Sequence, residues 1–293
     1  MIFSSYRCRR IVKMIKIVKA DGIRENAEAN PGARWIDDWF TVEEIDERTF
    51  IISEPRYFLK NNSYLLIGDS SALLFDTGSG KRDISPIVHS LTDLPLMVLP
   101  SHSHSDHLGS ISRFQNIALA DLPVNRKHTA KGVFRPSFVM YCDFSKPPKI
   151  PVSHWLNIDE AIDLGNRFLT IVPVPGHSSD SIALLDQQRD MLFTGDFLYE
   201  GNLIATLGGS VTDYLSSTQM LLSLTKGNET FCPAHYTPRL ERQNLLDVEQ
   251  GLIKIIKGDT KGRRYTFSRK YPISDQVGFI TTTRKIKAAA KTL

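Results

Sequence analysis

The stretch Ser101-His-Ser-His-Ser-Asp-His107 places three histidines and an aspartate within six consecutive residues. It follows the apolar run at residues 96–99, which predicts a buried strand that ends at Pro100. Neutral imidazole and carboxylate are both ligands that zinc accepts. Because side chains alternate along an extended loop, the first two histidines can face one side while the aspartate and the last histidine face another. The stretch therefore predicts a site for two metal ions.

Further residues of ligand type stand where later predicted strands end. His177 lies in the motif Pro-Gly-His-Ser-Ser, Asp196 in Phe-Thr-Gly-Asp and His235 in Cys-Pro-Ala-His. An earlier strand leads in the same way into the loop Asp76-Thr-Gly-Ser-Gly80. Loops at strand ends commonly carry functional residues on a rigid scaffold. These side chains are therefore candidates for the same site as the histidine-rich stretch.

The remaining pattern predicts short strands and a few helices. Strands are expected in a hairpin over 62–76 and over 168–174, 182–185, 191–194 and 231–232. Helices are expected to start at 108–114, to run through Leu224 from a cap at Thr212 or Asp213, and to span about 239–257. This order of elements predicts two sheets covered by helices. Residues 125–155, rich in proline and aromatic side chains, interrupt the pattern and predict an inserted cap or loop.

In order, spacing and glycine-rich context, these motifs resemble the metallo-β-lactamase superfamily. The pattern of that family is HxHxDH, followed by a His, an Asp and a His at strand ends. Every position of the pattern is filled between about residues 60 and 240. The resemblance implies an α/β fold of the αββα sandwich type, with the metal site at one edge of the two sheets. This agrees with the two covered sheets predicted above.

The resemblance also implies a role for each candidate residue. A first metal ion would be held by His102, His104 and His177, and a second by Asp106, His107 and His235. Asp196 would bridge the two ions, and Asp76 would support the metal loop by hydrogen bonding. The expected cofactors are two divalent ions, with zinc preferred and with iron or manganese compatible with the same ligands.

The implied reaction is metal-assisted hydrolysis of a carbonyl compound. Two such ions lower the pKa of a shared water, so that a metal-bridging hydroxide can attack a thioester or ester near neutral pH. Asp106 would act as a catalytic residue by relaying a proton. Tyr199 is three residues after Asp196 and matches a tyrosine that polarises the substrate carbonyl in acyl-homoserine lactonases. The alternative for Tyr199 is simple packing beside the sheet.

A second resemblance bears on the substrate. Residues 195–204, followed by 210–214, look like the acyl-coenzyme A thioesterase branch of the superfamily. This favours a small-molecule thioester or ester, and an acyl-coenzyme A-like one in particular. The aromatic side chains of the insert can line an acyl groove and its basic side chains can meet phosphates. An ordinary surface loop explains the insert equally well.

Other activities stay open at this point. A lactonase of the acyl-homoserine type is the main alternative. A β-lactamase, a phosphodiesterase or nuclease, and a mono-iron persulfide dioxygenase fit less well. Glyoxalase II shares the ligand set, but its C-terminal glutathione-binding domain has no clear counterpart here. A non-catalytic binding module fits least, because an intact water-activating site would be idle.

Charge is distributed unevenly along the chain. Of the net charge of +4 on 293 residues, residues 1–19 carry +6 and 254–293 carry +9, which leaves −11 on the stretch between. We predict a basic N-terminal extension over 1–19, a domain over 20–258 that contains the insert, and a basic C-terminal segment over 259–293. Such ends can bind nucleic acid, anionic lipid or a phosphorylated small molecule, but they are usually solvated tails. Nucleic acid is the less favoured partner, and opposite charges also allow pairing in a homodimer.

Several features bear on where the protein acts. No run of about 18 apolar residues occurs, which excludes an ordinary transmembrane helix. The first residues lack the continuous apolar stretch and the cleavage site of a secretory signal. Three separated cysteines form no disulfide framework. We therefore expect a cytoplasmic protein whose chain starts at either Met1 or Met14.

Overall fold

The computed structural model describes residues 24, 27–143, 145–158 and 160–292. The predicted N-terminal extension over 1–19 lies outside these residues. Strands β1 to β10 are Arg34–Trp35, Thr41–Asp46, Thr49–Glu54, Asn61–Ile67, Ala72–Phe75, Leu96–Leu99, Ala118–Ala120, Thr129–Ala130, Val133–Phe134 and Ile150–Pro151. Strands β11 to β20 are His154–Leu156, Ala161–Asp163, Phe168–Pro173, Ile182–Asp186, Met191–Gly195, Gly201–Ala205, Thr230–Pro233, Arg263–Tyr265, Ser268–Pro272 and Val277–Thr281. Helices α1 to α6 are Ser85–Leu91, Pro123–Lys127, Phe138–Tyr141, Val211–Leu224, Arg242–Lys257 and Thr283–Ala289, and Ile111–Arg113 forms a short 3₁₀-helix.

Two sheets face each other and are covered by helices on their outer sides. The first sheet has the order β1-β2-β3-β4-β5-β6 and the second β12-β13-β14-β15-β17. Apolar side chains from both sheets meet between them, as in the pair Tyr64 and Phe193, whose ring centroids are 5.0 Å apart. Helix α1 covers the outer face of the first sheet, and helices α4 and α5 cover that of the second. The predicted αββα sandwich is therefore confirmed.

Two of the predicted helices are present, but they begin at other residues than predicted. Helix α4 begins after Ser210, whose hydroxyl accepts from the Asp213 N–H at 3.2 Å, so the predicted cap at Thr212 or Asp213 is wrong. Helix α5 ends at Lys257 as expected and starts three residues later than predicted. The helix expected from residue 108 is replaced by the short 3₁₀-helix. Its backbone groups bond elsewhere, since the N–H of Gly109 donates to the carbonyl of Gly78 at 3.0 Å.

The insert forms small elements of its own against the first sheet. Strands β8, β9 and β10 make a three-stranded sheet, and β11 pairs in parallel with β7. Phe134, Met140 and Ile150 from the insert are buried in the same cluster as helix α1. The insert is therefore packed on the domain.

The C-terminal segment differs from the solvated tail that its charge suggested. Strand β20 pairs in parallel with β16 over five residue pairs, and β19 and β18 continue this sheet outward. Val277 and Phe279 are buried in the core beneath helices α4 and α5. The sequence boundary at residue 258 therefore separates two parts that pack together, because Tyr271 of β19 and Val277 and Phe279 of β20 are buried in the same core cluster as helices α4 and α5. No helix in the described part of the chain is long and apolar enough to cross a membrane.

Candidate metal centre

The histidine-rich stretch forms a loop directly after strand β6, at the edge shared by the two sheets. The carbonyl of His107 accepts from the backbone N–H of Thr77 at 2.9 Å and from its hydroxyl at 3.0 Å. The side-chain amide of Asn61 donates to the carbonyl of Asp106 at 2.7 Å. On its outer side, the N–H of Ser105 donates to the carbonyl of Tyr141 in the insert at 2.9 Å. Hydrogen bonds from three separate parts of the chain therefore fix this loop.

The later ligand candidates reach the loop because glycine precedes two of them. Gly195 has a φ of +53°, and a Cβ at this position would lie 2.7 Å from the Cβ of Ser101. Only glycine permits both this backbone conformation and this close approach. Gly176, before His177, packs in the same way against Tyr214, whose Cα would be 2.6 Å from an added Cβ. The strand ends thus deliver Asp196 and His177 next to the loop.

The candidate ligands form two groups. The ligand atoms of the first group lie within 4.8 Å of one another, as do those of the second group. The first group contains His102, His104, His177 and Asp196, and the second contains Asp106, His107 and His235. The sequence analysis placed the six other residues in the same two groups and Asp196 between them. The assignment as metal ligands stays a prediction.

Asp196 stands between the two groups and turns one oxygen towards each. Its Oδ1 is 3.1 Å from His107 Nε2 and 2.9 Å from His235 Nε2. Its Oδ2 is 3.4 Å from His177 Nε2 and 3.9 Å from His102 Nε2. This is the placement that a carboxylate shared by two cations needs. Burial alone would raise the pKa of Asp196, but the two histidines beside Oδ1 hold it well below its usual value.

Hydrogen bonds to the far ring nitrogens orient several of these imidazoles. His177 Nδ1 donates to the carbonyl of Ile204 at 2.9 Å, so its unprotonated Nε2 faces His104 Nδ1 at 3.0 Å and Asp196 Oδ2 at 3.4 Å. His107 Nδ1 lies 2.8 Å from Asp76 Oδ2, so its Nε2 also points inward. Burial holds the pKa of His102 and that of His104 well below the usual value, so both are neutral imidazoles. Neutral imidazole is the form that binds a metal ion.

Several nitrogen and oxygen atoms at the centre of the site lack hydrogen bonds in the described part of the chain and are free to bind cations. The Nε2 atom of His102 is buried and has no hydrogen-bond partner among the described residues, and those of His107 and His235 lie 3.1 and 2.9 Å from Asp196 Oδ1 without hydrogen-bond geometry. A buried polar group without a partner costs about 1–3 kcal/mol. Because these unpaired nitrogen and oxygen atoms converge on common space, the residues present fit two divalent ions.

Asp76 supports the loop from behind. Its Oδ1 accepts from the N–H of Ser101 at 2.6 Å, and its Oδ2 accepts from the Ser101 hydroxyl at 2.8 Å. Its backbone has a φ of +68°, a left-handed conformation that aspartate tolerates better than most residues. The structure therefore places this carboxylate between the start of the loop and His107, and its support of a metal site stays a prediction.

The ring of Tyr199 faces the site, whereas its hydroxyl bonds to the backbone instead. The ring meets that of His235 edge-on at 5.3 Å between centroids, and the side chain is buried. The hydroxyl donates to the carbonyl of Asn202 at 2.6 Å. Burial, followed by the charge of Asp196, raises the pKa of this phenol well above its usual value, so it stays protonated. A contact between this hydroxyl and the substrate stays a prediction.

Sequence reasoning missed one buried carboxylate beside the first group. Asp180 accepts a hydrogen bond from Ser103, which lies between His102 and His104. Its other oxygen accepts from the hydroxyl of Ser178, next to His177, at 2.7 Å. Asp180 thus joins the two chain segments that carry the imidazoles of this group. The signal was the polar run Ser178-Ser179-Asp180 that directly follows His177.

Comparison with known proteins agrees with this fold. The family description of the metallo-beta-lactamase superfamily matches residues 56–235, a span that contains every candidate ligand. The chain therefore belongs to the metallo-beta-lactamase superfamily. The predictions of this family, its fold class and a hydrolase activity are confirmed.

Three individual proteins illustrate the similarity. The acyl-coenzyme A thioesterase MBLAC2 of Gallus gallus is 28% identical over 225 residues, which cover 68% of this chain and 81% of that protein. The hydroxyacylglutathione hydrolase of Bdellovibrio bacteriovorus is 26% identical over 183 residues, covering 61% of this chain and 65% of that protein. The structure of a metallo-beta-lactamase from Pontibacter korlensis superposes with a TM-score of 0.57 at 18% identity, covering 73% of this chain and 99% of that one.

Proposed function

We propose that the chain is a dinuclear metal-dependent hydrolase of thioesters, with an acyl-coenzyme A-like substrate. The observation that carries the proposal is the position of Asp196, with one oxygen facing each group of imidazoles. Under this proposal, His102, His104 and His177 hold one ion, while Asp106, His107 and His235 hold the other. Asp196 bridges the ions, and zinc is the metal that this donor set favours.

The protein side chains divide the remaining work. Two bound divalent ions would supply an activated water and polarise the carbonyl under attack. Asp106 is 13% exposed, whereas His107 and His235 are each 1% exposed, so Asp106 is the group of its set that solvent and substrate reach. It is therefore placed to accept a proton from the attacking water and to pass it towards the leaving thiol. The buried histidines hold the ions in position and keep bulk water away from them.

The insert supports an acyl substrate. Helix α3 is tied to the metal loop through the hydrogen bond from Ser105 to Tyr141. From there it reaches the turn after β16, where Val139 Cγ1 lies 3.8 Å from the position of a Cβ on Gly208. Val139 is 41% exposed and therefore available to an acyl chain. The relatives named as acyl-coenzyme A thioesterases agree with this class of substrate.

The proposal is tested by thiol release from acyl-coenzyme A esters of increasing chain length. Zinc-loaded protein should release thiol, and His104→Ala and Asp106→Ala should reduce the rate to the uncatalysed level while the fold is retained by circular dichroism. Chain lengths that are accepted would report the size of the acyl groove. Full activity in either variant, or no release above the His104→Ala blank, would contradict the proposal, and lactones would be the next substrates tested.

Three further expectations stay predictions from the sequence. They are a cytoplasmic location, a homodimer that the opposite charges allow, and nucleic acid as a less favoured partner.

A further inference from the structure

The hairpin of strands β18 and β19 carries like charges directly opposite each other. Arg263 faces Lys270 across the two strands, and Arg264 faces Arg269. All four side chains are exposed, and none forms an ion pair with a carboxylate in the described part of the chain. Opposed like charges destabilise a strand pair. The two opposed pairs of cations therefore lower the stability of the hairpin.

The tip of this hairpin is aromatic. Tyr265 is 36% exposed and Phe267 is 41% exposed. They flank Thr266, whose φ of +51° turns the chain between the strands. Both side chains lie directly ahead of the four exposed cations. The hairpin therefore presents an apolar apex followed by a ring of cations.

We propose that the β18–β19 hairpin docks the protein on an anionic lipid bilayer. A strand rises about 3.3 Å per residue, so the two cation pairs lie about 3 and 7 Å behind the tip. Side chains of interfacial proteins enter the boundary between headgroups and acyl chains by about 5–10 Å. The aromatic side chains would enter this boundary while the cations contact lipid phosphates. Tyrosine suits this position because its ring is apolar and its hydroxyl stays hydrated.

The arrangement favours lipid over nucleic acid. Proteins that bind single strands place aromatic side chains on a platform within one positively charged groove. Here successive residues of a strand point to opposite faces, so the Arg264–Arg269 pair lies on one face and the Arg263–Lys270 pair on the other. The aromatic side chains lie ahead of both pairs instead of between them. An aromatic tip in front of the cations is suited to insertion into a lipid bilayer.

The hairpin is held firmly by the domain, because β19 pairs with β20 along four residue pairs. Tyr271 in β19 is buried in the core, next to the exposed Lys270. Glutamine replacements of the exposed cations should therefore leave the fold intact. Arg264→Gln should raise the melting temperature, because it removes one repulsive pair.

The test is co-sedimentation of the full chain with vesicles of phosphatidylcholine, with or without phosphatidylserine. Each cation near an anionic surface changes the partition about fivefold, so the quadruple variant should lose on the order of several hundred-fold. That variant is Arg263→Gln, Arg264→Gln, Arg269→Gln and Lys270→Gln. The matched control removes four exposed cations elsewhere, two in helix α5, one in α6 and one just after α6. Its vesicle binding should fall far less. That control is Lys254→Gln, Lys257→Gln, Lys287→Gln and Lys291→Gln.

A second variant separates insertion from charge. Tyr265→Ser with Phe267→Ser keeps all cations, and it should also weaken binding to vesicles that contain phosphatidylserine. Equal binding by the wild type and both hairpin variants would overturn the proposal. So would wild-type protein that ignores these vesicles, or that binds RNA oligonucleotides in a hairpin-dependent way but no vesicle. None of these outcomes touches the hydrolase proposal, because thiol release from a soluble substrate needs no membrane.

Discussion

Asp76 Oδ2 lies 2.8 Å from His107 Nδ1, and this contact turns the other ring nitrogen of the histidine towards Asp196. The carboxylate thereby orients His107. Burial would lower the pKa of His107, but Asp196 and Asp76 raise it well above its usual value. In a metal-loaded site the cation replaces the proton that these carboxylates attract.

Replacing Asp76 with asparagine tests this relationship. Asparagine tolerates the left-handed backbone of Asp76, so the change keeps the backbone while it removes the charge and replaces one of the two acceptor oxygens with an NH2 group. Loss of such a partner commonly weakens metal affinity about 10–100-fold. We expect the weaker binding to fall on the ion held by His107, measured by competition with a chelator. Unchanged affinity for both ions would show that Asp76 serves only the backbone at Ser101.

Asp180 should act on the other ion. Asp180→Ala leaves the buried hydroxyls of Ser103 and Ser178 without their shared acceptor, at a cost of about 2–4 kcal/mol in the free energy of unfolding. We also expect weaker binding of the ion held by His104, measured with a chelator. Asp180→Asn should recover part of the metal affinity, since its amide still bonds to both hydroxyls. A loss of stability with metal affinity unchanged would rule out a positioning role.

Tyr199→Phe decides between two roles. The resemblance implies a hydroxyl that meets the substrate carbonyl, whereas the structure shows this hydroxyl donating to Asn202. If the hydroxyl serves only the bond to Asn202, kcat should stay close to the wild-type value and stability should fall by about 1 kcal/mol. A fall in kcat of about 100-fold or more would instead show that the phenol stabilises the transition state. Tyr236→Phe, on the neighbouring ring, is the matched control.

The pH dependence of stability should carry a contribution from Glu229. Burial would raise its pKa, but the backbone N–H groups of Lys226 and Gly227, at 2.7 and 2.9 Å, lower it overall. A lowered pKa means that the ionised group stabilises the fold above about pH 4.3, and that this contribution is lost as the pH falls through the folded-state pKa. Glu229→Gln should therefore lower stability at pH 7 by at most about 1 kcal/mol.

Urea unfolding at several pH values checks this prediction. The difference between the wild type and Glu229→Gln should narrow as the pH falls below about 4.3. Glu47→Gln, at an exposed position, should show no such difference at any pH. A gap that stays constant with pH would mean that the glutamine alters packing rather than charge.

The candidate site could be predicted from sequence because its residues sit in short local motifs. The run from His102 to His107 follows a clear strand, and the glycine before Asp196 marks the turn that delivers it. The same holds for the αββα layers, whose strands are short apolar runs between turn residues. Local patterns carry this information since each one depends on neighbouring residues alone.

The remaining features depend on contacts between distant parts of the chain. The pairing of β16 with β20 joins residues 201–205 to 277–281, and no local pattern marks it. The link from Asp180 to Ser103 likewise crosses between the two sheets. At Gly109, contacts with the loop after β5 override a local helix signal. Tertiary contacts decided each of these cases.

The central claim is that Asp196 joins two metal ions in one site. The most direct measurement is the metal content of the purified chain after equilibration with zinc and removal of free ions. We predict two equivalents of zinc per chain, falling to one in His235→Ala, with thiol release lost in that variant. One equivalent in the wild type, or two that persist in His235→Ala, would contradict the dinuclear account.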